Sequence, residues 1–272
     1  MRVLFFGDVV GRAARDELIA RLPDLRARYT ADVVIVNAEN AAHGFGLTPQ
    51  ICDDFHKAGV DCITTGNHVW DRREIISYID KNHRVLRPLN YPEGTPGRGM
   101  CVLETEKNAK ILVMNVMARL FMDALDDPFA AVDAVLSRYK MGHDVAAIFI
   151  DFHGEASSEK MAMGHFCDGR ASFVVGTHTH VPTADTQIFS GGTGYQSDAG
   201  MCGCYDSVIG MEASAAVNKF TRKMPGERLS PAEGPVTLCG VFFETDDKTG
   251  LCQRAAPFRV GGSLAEFLPD AA

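Results

Sequence analysis

The stretch SFVVGTHTH (residues 172–180) joins a short apolar run directly to a pair of histidines. Its first part, Ser172–Val175, is short and contains β-branched residues, as strands buried on both faces do. If the chain stays extended, His178 and His180 face the same way, with their backbones about 6.6 Å apart. One histidine could then reach each of two metal ions about 3.5–4 Å apart. The stretch therefore predicts a buried strand that ends in metal-binding side chains.

Four other apolar runs end in side chains of the same kind. They are Val3–Phe6 before Asp8, Val33–Val36 before Glu39 and Asn40, Cys62–Thr65 before Asn67 and His68, and Ala146–Ile150 before Asp151 and His153. In open α/β sheets, ligands bind beyond the carboxyl ends of the strands, so these ends are expected to meet at one edge. Each end alone has a second interpretation, because Asp and Asn are common turn residues. Their occurrence at five strand ends favours one binding site.

The side-chain types also predict which metal the site takes. Carboxylate, amide and imidazole groups without a thiolate favour a divalent first-row metal such as Mn, Fe or Zn over calcium or a structural zinc. Two carboxylates and three neutral imidazoles leave positions open for water. Two metals that share one water make it a hydroxide nucleophile and hold both oxygens of an in-line displacement at phosphorus. The sequence thus predicts phosphoester chemistry at a pair of metals.

The overall charge agrees with a role for metals. The chain has 272 residues, of which 46% are hydrophobic and 23% are charged, as in ordinary globular proteins. Lys and Arg number 27 and Asp and Glu number 35, which gives a net charge of −8. A general nucleic-acid binder needs excess positive charge to neutralise phosphates, so that class is disfavoured. Bound cations would have to offset the charge of a phosphate substrate.

The cysteines and the apolar runs indicate in which cellular compartment the protein is expected. The eight cysteines are scattered without a Cys-x-x-Cys pair, and Cys202 and Cys204 lack the second pair that a metal or redox site would need. No signal peptide is recognised, because the first apolar run stops at Asp8. Free thiols in a reducing cytoplasm are therefore expected. No apolar run approaches the length of a membrane span, so no membrane association is expected.

Short apolar strands alternate with helix-like stretches, which predicts a layered α/β fold. We expect a single domain over residues 1–272. Helices are predicted over Arg15–Tyr29 with a distortion at Pro23, from a cap at Thr48 to Gly59, over Arg73–Lys81, from a cap at Asp127 to Tyr139, and over Ser207–Met224. Further strands are predicted at Ile111–Asn115, Val236–Glu244 and Gln253–Val260, the last two antiparallel at a sheet edge, and loops at Ser190–Gly203 and Pro225–Pro235.

The motifs at the strand ends resemble those of the calcineurin-like metallophosphoesterases. That superfamily carries Asp-x-His, Gly-Asp, Gly-Asn-His-Asp/Glu, a distant His and Gly-His-x-His, each on a loop after a strand. The sequence is more similar still to the YmdB-like branch, whose motifs span nearly the whole chain. They stand here as GDVVG at 7–11, NAEN at 37–40, TTGNHVWD at 64–71, DFHGEASSEK at 151–160 and GTHTHVPTAD at 176–185.

The resemblance implies a role for each candidate site residue. Glu39 bridges two metals, where the wider superfamily uses Asp. The other implied metal ligands are Asp8 and His180 for one metal, Asn67, His153 and His178 for the second, and Asn40, which ligates or orients water. His68 is implied to donate a proton to the leaving oxygen, for which an imidazole is suited because it titrates near neutral pH. The superfamily's Asp-x-His is Asp8-Val9-Val10 here, as in the branch, so one metal has fewer protein ligands.

The same resemblance implies the fold and the reaction. The fold is a layered α/β sandwich of central mixed β-sheets flanked by helices, the metallophosphoesterase fold. The reaction is hydrolysis of small cyclic nucleotides, either 2′,3′-cyclic or 3′,5′-cyclic monophosphates, by a hydroxide that bridges two divalent metals. Iron or manganese is expected before zinc, and the branch implies a homo-oligomer, either a dimer or a tetramer.

Two alternative functions stay open. The first is a phosphatase or nuclease acting on RNA ends, because the same metal chemistry serves both. The second is a regulatory protein that binds a nucleotide or a partner with little turnover. The presence of an acid, a nucleophile and metal-binding groups argues against the second, since a pure sensor needs no His68.

Several neighbouring residues have two interpretations each. Asp71 either orients His68 or caps the next helix. Trp70 is either a packed wall or a surface on which a base stacks, and Arg12 either touches phosphate or is solvated. The remaining expectations are a hydrogen bond from Asp185 to a ligating histidine and a helix start around Ser157 that includes Glu155 and Lys160.

Overall fold

The computed structural model describes residues 1–222 and 226–271, and two β-sheets pack face to face in this part of the chain. In chain order the strands are β1 (Arg2–Phe6), β2 (Val33–Asn37), β3 (Cys62–Thr64), β4 (Met100–Glu104), β5 (Lys110–Met117), β6 (Ala147–His153), β7 (Phe173–Thr177), β8 (Gln187–Ile188), β9 (Gly194–Gln196), β10 (Gly203–Cys204), β11 (Val236–Thr245) and β12 (Cys252–Val260). The helices are α1 (Gly11–Tyr29), α2 (Pro49–Lys57), α3 (Ile75–Ile79), α4 (Pro128–Leu136), α5 (Ser157–Phe166) and α6 (Ala213–Arg222).

The strand order brings the carboxyl ends of the parallel strands to one edge. The first sheet has the order β10-β11-β1-β2-β3, with β12 on the other side of β11. In it β1, β2 and β3 are parallel, whereas β11 is antiparallel to β1 and to β12. The second sheet has the order β4-β5-β6-β7-β9-β8, in which β5, β6, β7 and β9 are parallel. The loops after the parallel strands therefore start from a common edge.

Alternating side chains of β1 divide between two apolar layers. Val3 and Phe5 point between the sheets, where the ring of Phe5 lies 5.1 Å from that of Phe149 on β6. Leu4 and Phe6 point the other way, into the layer beneath α1 and α2. A similar layer separates the second sheet from α4 and α5. The resulting order of helix, sheet, sheet and helix layers confirms the predicted α/β sandwich.

The predicted helix caps are present, and some helix ends differ. Thr48 and Asp127 cap α2 and α4 by accepting hydrogen bonds from backbone N–H groups. Helix α1 begins at Gly11, four residues before the predicted start, and continues through Pro23. Helix α3 and helix α4 are shorter than predicted. Among the described helices, none combines the length and the hydropathy that crossing a bilayer requires.

The remaining differences concern short elements late in the chain. Helix α6 begins at Ala213, six residues after the predicted start, because turns and a short bridge precede it. Residues 223 and 224 of the predicted helix and Pro225 of the predicted loop lie outside the described residues. Four strands are present that the sequence does not predict, namely β4, β8, β9 and β10. Of these, β9 lies within the stretch predicted as a loop. The edge strand is β12, whereas β11 is paired on both sides.

Candidate metal centre

The loops after the parallel strands bring every predicted site residue to the same edge. Asp8 follows β1, and Glu39 and Asn40 follow β2. The others are Asn67 and His68 after β3, His153 at the end of β6, and His178 and His180 after β7. Asp8, Glu39, Asn40, His153 and His180 are buried, whereas Asn67, His68 and His178 are partly exposed.

Two groups of three side chains are close enough to hold one metal ion each. Glu39, His153 and His178 form one group, and Asp8, Glu39 and His180 form the other. Within each group the potential ligand atoms lie within 4.8 Å of one another. Glu39 belongs to both groups, so its carboxylate lies between the two candidate metal positions. A pair of metal ions joined by a carboxylate is the geometry that phosphoester chemistry uses.

Each histidine of these groups has one ring nitrogen held by the protein. The contacts are His153 Nδ1 to Thr177 Oγ1 at 2.9 Å, His180 Nδ1 to the Ile209 carbonyl oxygen at 2.8 Å, and His178 Nε2 to Glu155 Oε2 at 3.3 Å. When these nitrogens carry the ring proton, they donate to the three oxygens. Nε2 of His153 and His180 and Nδ1 of His178 then keep a free lone pair for a metal.

The atoms that remain free are acceptors that face one another, which fits a cation between them. The distances from His153 Nε2 are 2.9 Å to Asn67 Oδ1, 3.2 Å to His178 Nδ1 and 3.3 Å to Glu39 Oε1. Among the described residues, the buried oxygens Asp8 Oδ1 and Asn40 Oδ1 have no hydrogen-bond partner. Buried polar atoms normally find partners. This mixed set of oxygen and nitrogen donors therefore fits divalent first-row metal ions.

Burial and mutual charge shift the pKa values of the group. Burial raises the pKa of Asp8. Burial opposes ionisation of Glu39, but the charge and hydrogen bond of His153, together with the charge and the backbone N–H of His68, lower the pKa of Glu39 to about 2. For His153, burial disfavours the charged ring, yet the Glu39 and Asp8 carboxylates raise its pKa to about 9, so a metal at His153 Nε2 would have to displace a proton. Burial and then the charge of His153 lower the pKa of His178 to about 3, so that ring is neutral.

The backbone at the two histidines after β7 departs from the predicted extended chain. Strand β7 ends at Thr177, and His178 and His180 have φ angles of 98° and 66°. Residues other than glycine rarely adopt this left-handed region, and the strain persists where surrounding contacts hold it. The prediction that both histidines face the same way along a strand is therefore wrong. The turn nevertheless directs His178 and His180 to different groups of candidate ligands, one to each, as the sequence predicts.

Gly66 lets the loop after β3 pass close to the ligands. A Cβ atom at this position would collide with the His153 ring and the Glu39 carboxylate. The close approach allows the backbone N–H of His68 to donate to Glu39 Oε2 at 3.1 Å. The backbone of the predicted proton donor is thus tied to the carboxylate shared by both groups.

Asp71 contacts the predicted proton donor directly. Its Oδ2 lies 2.8 Å from His68 Nδ1. Helix α3 begins only after Glu74, so Asp71 does not cap it. Of the two interpretations of Asp71, the structure supports the one in which it orients His68.

Two other neighbours contact residues outside the two groups. Trp70 packs edge-on against Tyr91, with 5.9 Å between ring centroids, and both are partly buried against the apolar layer beneath α1 and α2. Arg12 has an 81% exposed side chain that pairs with Asp16 at 3.4 Å. Trp70 is thus a packed wall and Arg12 is solvated.

A buried polar network beneath His153 was outside the predicted site. Asp151 Oδ1 accepts a hydrogen bond from Thr177 Oγ1 at 2.7 Å, and the same hydroxyl contacts His153 Nδ1. Asp151 Oδ2 accepts from Asn37 Nδ2 at 2.9 Å and from Thr64 Oγ1. Burial raises the pKa of Asp151 to about 6. An aspartate inside an otherwise apolar strand is the sequence signal that could have indicated this network.

A buried ion pair holds the turn between the last two ligand histidines. Lys160 Nζ of α5 lies 2.8 Å from Asp198 Oδ2, and both side chains are almost fully buried. The same oxygen accepts from the backbone N–H of Thr179 at 3.0 Å and from its hydroxyl at 2.8 Å. Asp198 lies in the stretch predicted as a glycine-rich loop, where the sequence offers no signal for this role. The interpretation of Lys160 as an ordinary helix residue is therefore incomplete.

The contact predicted for Asp185 is not formed. Its carboxylate accepts hydrogen bonds from the backbone N–H and the hydroxyl of Ser197. The oxygens that hold the histidines come instead from Thr177, Ile209 and Glu155. Glu155 precedes α5 rather than lying in it.

A cavity of about 290 Å³ opens over the two ligand groups. Its polar side consists of Glu39, Asn40, His68, Glu155, His178, Thr179 and His180, and its apolar side of Phe45, Ile209, Met211 and Leu229. This volume is at the lower end of the range for small-molecule sites, about 300–1,000 Å³. The site thus has room for a small ligand beside the metal-binding groups.

A family model described as "YmdB-like protein" matches residues 4–258. The chain belongs to this family. The 2′,3′-cyclic-nucleotide 2′-phosphodiesterase of Bacillus subtilis (strain 168) is 45% identical over 249 residues, which covers 92% of this chain and 93% of that protein. A crystal structure of a hypothetical protein from Thermus thermophilus has a TM-score of 0.89 and 41% identity over 97% of this chain and all of that one.

A crystal structure described as a novel phosphatase from Mycoplasma pneumoniae also has a TM-score of 0.89, with 34% identity over 96% of this chain and 93% of that chain. The family match extends over both sheets and includes every predicted site residue, from Asp8 to His180. These matches confirm the resemblance of the sequence to the YmdB-like branch, and with it the fold.

Proposed function

We propose that this protein is a phosphodiesterase that hydrolyses cyclic nucleotides, with 2′,3′-cyclic monophosphates as the first candidate substrate and 3′,5′-cyclic monophosphates as the second. The observation that carries the proposal is the carboxylate of Glu39, which two candidate metal groups share at the floor of a cavity that also contains His68. The activity named for the Bacillus subtilis relative supports the substrate class. Family membership and fold support the broader class of phosphoric diester hydrolase.

The two ligand groups would hold two divalent metals, with iron or manganese ahead of zinc. Glu39 would contact both, Asp8 and His180 would complete one set, and His153 and His178 with Asn67 would complete the other. Asn40, whose Oδ1 is buried, is the further candidate ligand. When bound, such cations supply a hydroxide nucleophile at neutral pH and polarise the phosphoryl oxygens.

The chain itself supplies the proton for the leaving group. Asp71 accepts a hydrogen bond from His68 Nδ1, which leaves His68 Nε2 as the atom that can serve the cavity. A protonated His68 donates from Nε2 to the sugar oxygen as its bond to phosphorus breaks. The Asp71 carboxylate fixes the orientation and the tautomer of the ring.

A substrate panel together with elemental analysis tests the proposal. Protein purified without added metal is analysed for Mn, Fe and Zn, then assayed with 2′,3′-cyclic AMP, 3′,5′-cyclic AMP and 3′-AMP. We expect hydrolysis of at least one cyclic diester, its loss with a chelator, and its return on adding one of these metals. Turnover that persists in chelator, or turnover of the monoester alone, would contradict the proposal.

The finer predictions depend on separate measurements. Light scattering after size-exclusion chromatography distinguishes the predicted dimer from the tetramer. Titration of labelled RNA at low salt tests the absence of general nucleic-acid binding, which the charge of −8 favours. Fractionation of cells tests the predicted cytoplasmic location.

A further inference from the structure

The cavity over the ligand groups has a wall with no side-chain hydrogen-bonding group. Phe45 comes from the loop after β2, Ile209 and Met211 from the segment between β10 and α6, and Leu229 from the segment before β11. The same cavity is also lined by candidate metal ligands and by His68. If the candidate metal-binding residues hold the phosphate of a bound molecule, the rest of that molecule would lie along this apolar wall.

The wall has its own packing support. Met211 is buried and packs with Val10 and Met201 in a small apolar cluster, against which Phe45 and Leu229 also pack. This cluster is distinct from the three large apolar layers of the sandwich. An apolar surface that is built separately and opens into a polar site is typical of a ligand subsite.

The wall also meets the predicted proton donor. The Phe45 ring lies 5.1 Å from the His68 ring at an angle of 73°, which is an edge-to-face contact. This contact makes Phe45 the part of the wall that lies next to the proposed proton donor. An aromatic face next to the reacting group suits a flat ring attached to the same sugar as the phosphate.

Ile209 has the least ordinary backbone of the four. Its φ angle is 46°, in the left-handed region, where a β-branched residue is an outlier. Its carbonyl oxygen accepts the hydrogen bond from His180 Nδ1 at 2.8 Å, and the residue is 54% exposed and lines the cavity. The strained backbone thus holds a candidate ligand with its carbonyl and presents an apolar side chain to the cavity.

We propose that this wall is the nucleobase subsite and that Ile209 and Leu229 determine affinity for the nucleoside. The inference rests on the proposed function, because it takes the phosphate to be at the ligand groups. Phe45 and the aliphatic side chains contact the base through its faces and edges without reading its hydrogen-bonding groups. Sites that read hydrogen bonds discriminate by about 10⁴–10⁵, whereas apolar pockets discriminate by about 10–200-fold. We therefore expect the four bases to differ by no more than about 200-fold.

The test compares nucleotides with a substrate that lacks a base. The substrates are 2′,3′-cyclic AMP, 2′,3′-cyclic CMP and methyl ribofuranoside 2,3-cyclic phosphate. The variants are Ile209→Gly, which accepts the positive φ and keeps the backbone carbonyl, and Leu229→Ala. Val102→Ala, an exposed position on edge strand β4, is the matched control.

We expect Leu229→Ala to raise KM for both nucleotides by roughly tenfold, with kcat little changed, because it removes apolar contact with the base. Its kcat/KM for the base-free diester and its metal content should match the wild-type protein. Because the Ile209 carbonyl contacts the candidate ligand His180, Ile209→Gly is judged by the ratio of its kcat/KM for the nucleotides to that for the base-free diester, which should fall by roughly tenfold. Val102→Ala should change none of these values. An equal loss on the base-free diester would assign a merely structural role to the wall and overturn the inference.

Failure of the proposed function gives a different result. If the wild-type protein hydrolyses none of the three diesters with any added metal, the proposed function fails. Calorimetric binding of 3′-AMP and of ribose 3-phosphate then still tests the wall. Tighter binding of 3′-AMP that Leu229→Ala abolishes supports the subsite, and equal binding of the two ligands overturns it.

Discussion

The two edges of the sheets carry acidic residues of different kinds. At the edge where β1 begins, three carboxylates each have a nearby cation. The pairs are Asp32 with Lys107 at 2.7 Å, Glu244 with Arg2 at 3.1 Å, and Asp247 with the amino terminus at 2.9 Å. At the edge where β1 ends, Asp8 and Glu39 are buried, and among the described residues their only ion-pair partner is His153.

The comparison shows that Lys, Arg and the amino terminus balance carboxylates at the first edge, whereas in the described part of the chain no Lys or Arg pairs with the buried Asp8 and Glu39 carboxylates at the second edge. Exposed pairs such as those at the first edge contribute about 0–1 kcal/mol and need no further partner. Buried carboxylates without a fixed Lys or Arg cost free energy until another cation joins them. We therefore expect changes at the second edge to alter metal binding and catalysis, and matched changes at the first edge to alter stability slightly.

The largest effect is expected for Glu39→Gln, because Glu39 is shared by both ligand groups. We expect hydrolysis to fall to the level of the metal-free protein and the metal content to drop at both positions. Elemental analysis after dialysis and an assay of cyclic nucleotide hydrolysis check this. The matched control is Asp32→Asn at the other edge, which should keep full activity and metal. Full turnover by Glu39→Gln would refute the shared-carboxylate assignment.

Removal of the proton donor should give the next largest effect. We expect His68→Ala to lower kcat by about 10²–10⁴, the usual contribution of a general acid, without a change in metal content. Asp71→Asn should give a smaller loss, because it keeps a hydrogen-bond acceptor for His68 Nδ1 but removes the charge. Loss of metal from His68→Ala would show that this histidine is a ligand instead.

In a cell, the same His68→Ala variant separates the open alternatives. If cellular effects of the protein persist after hydrolysis is lost, binding is the function. If they disappear together, turnover is the function.

Much of the site could be predicted because it depends on strand ends. Parallel strands place their carboxyl ends at one edge whatever the details of the loops, so Asp8, Glu39 and His153 could be brought together from sequence. The left-handed backbone of His178 and His180 could not, because nothing in Thr-His-Thr-His distinguishes a strained turn from an extended chain. It is Asp198, about twenty residues later, that holds this turn.

The residues missed by the prediction act through tertiary contacts. Thr177 and Asp151 resemble turn and edge residues in sequence, and only the pairing of β6 with β7 joins them under His153. The short strands β8, β9 and β10 have two or three residues each, which is too few for a period to be recognised. The sequence predicts a hydrogen bond between Asp185 and a ligating histidine, whereas the Asp185 carboxylate accepts hydrogen bonds from Ser197.

Two lysine–aspartate ion pairs differ in how deeply they are buried. Lys160 pairs with Asp198 in the interior, whereas the side chain of Lys107, which pairs with Asp32, is 76% exposed. Breaking a buried pair by removing one partner costs about 3–5 kcal/mol, because the other charge stays buried. We expect Lys160→Met to lower the free energy of unfolding by about that amount in urea titrations, and Lys107→Met by less than about 1 kcal/mol. If the two variants lost similar amounts of unfolding free energy, the expected difference between the buried and the exposed ion pair would be wrong.

A hydroxyl substitution tests the network beneath the ligands. We expect Thr177→Val to weaken metal affinity by about 10–100-fold, because it removes the contact that orients His153 Nδ1. Titration of the metal-free protein with metal in a calorimeter measures the change in metal affinity. The control is Thr237→Val, since the buried Thr237 hydroxyl has no partner among the described residues. That variant should keep both metal affinity and stability. Equal effects from the two variants would rule out an orienting role for Thr177.

The smallest effect is expected at the first edge, in the pH dependence of stability. Burial by itself would raise the pKa of Asp32, but hydrogen bonds from Lys107 and from the backbone of Arg2 lower it below the ordinary value of 3.8. A group with a depressed folded pKa stabilises the protein above its unfolded pKa and loses this contribution as pH falls through the folded value. We expect Asp32→Asn to cost less than about 1 kcal/mol at pH 7. In urea titrations the cost should shrink with added salt and disappear well below pH 3.8, whereas a cost that persists in acid would mean that Asp32 acts through packing rather than charge.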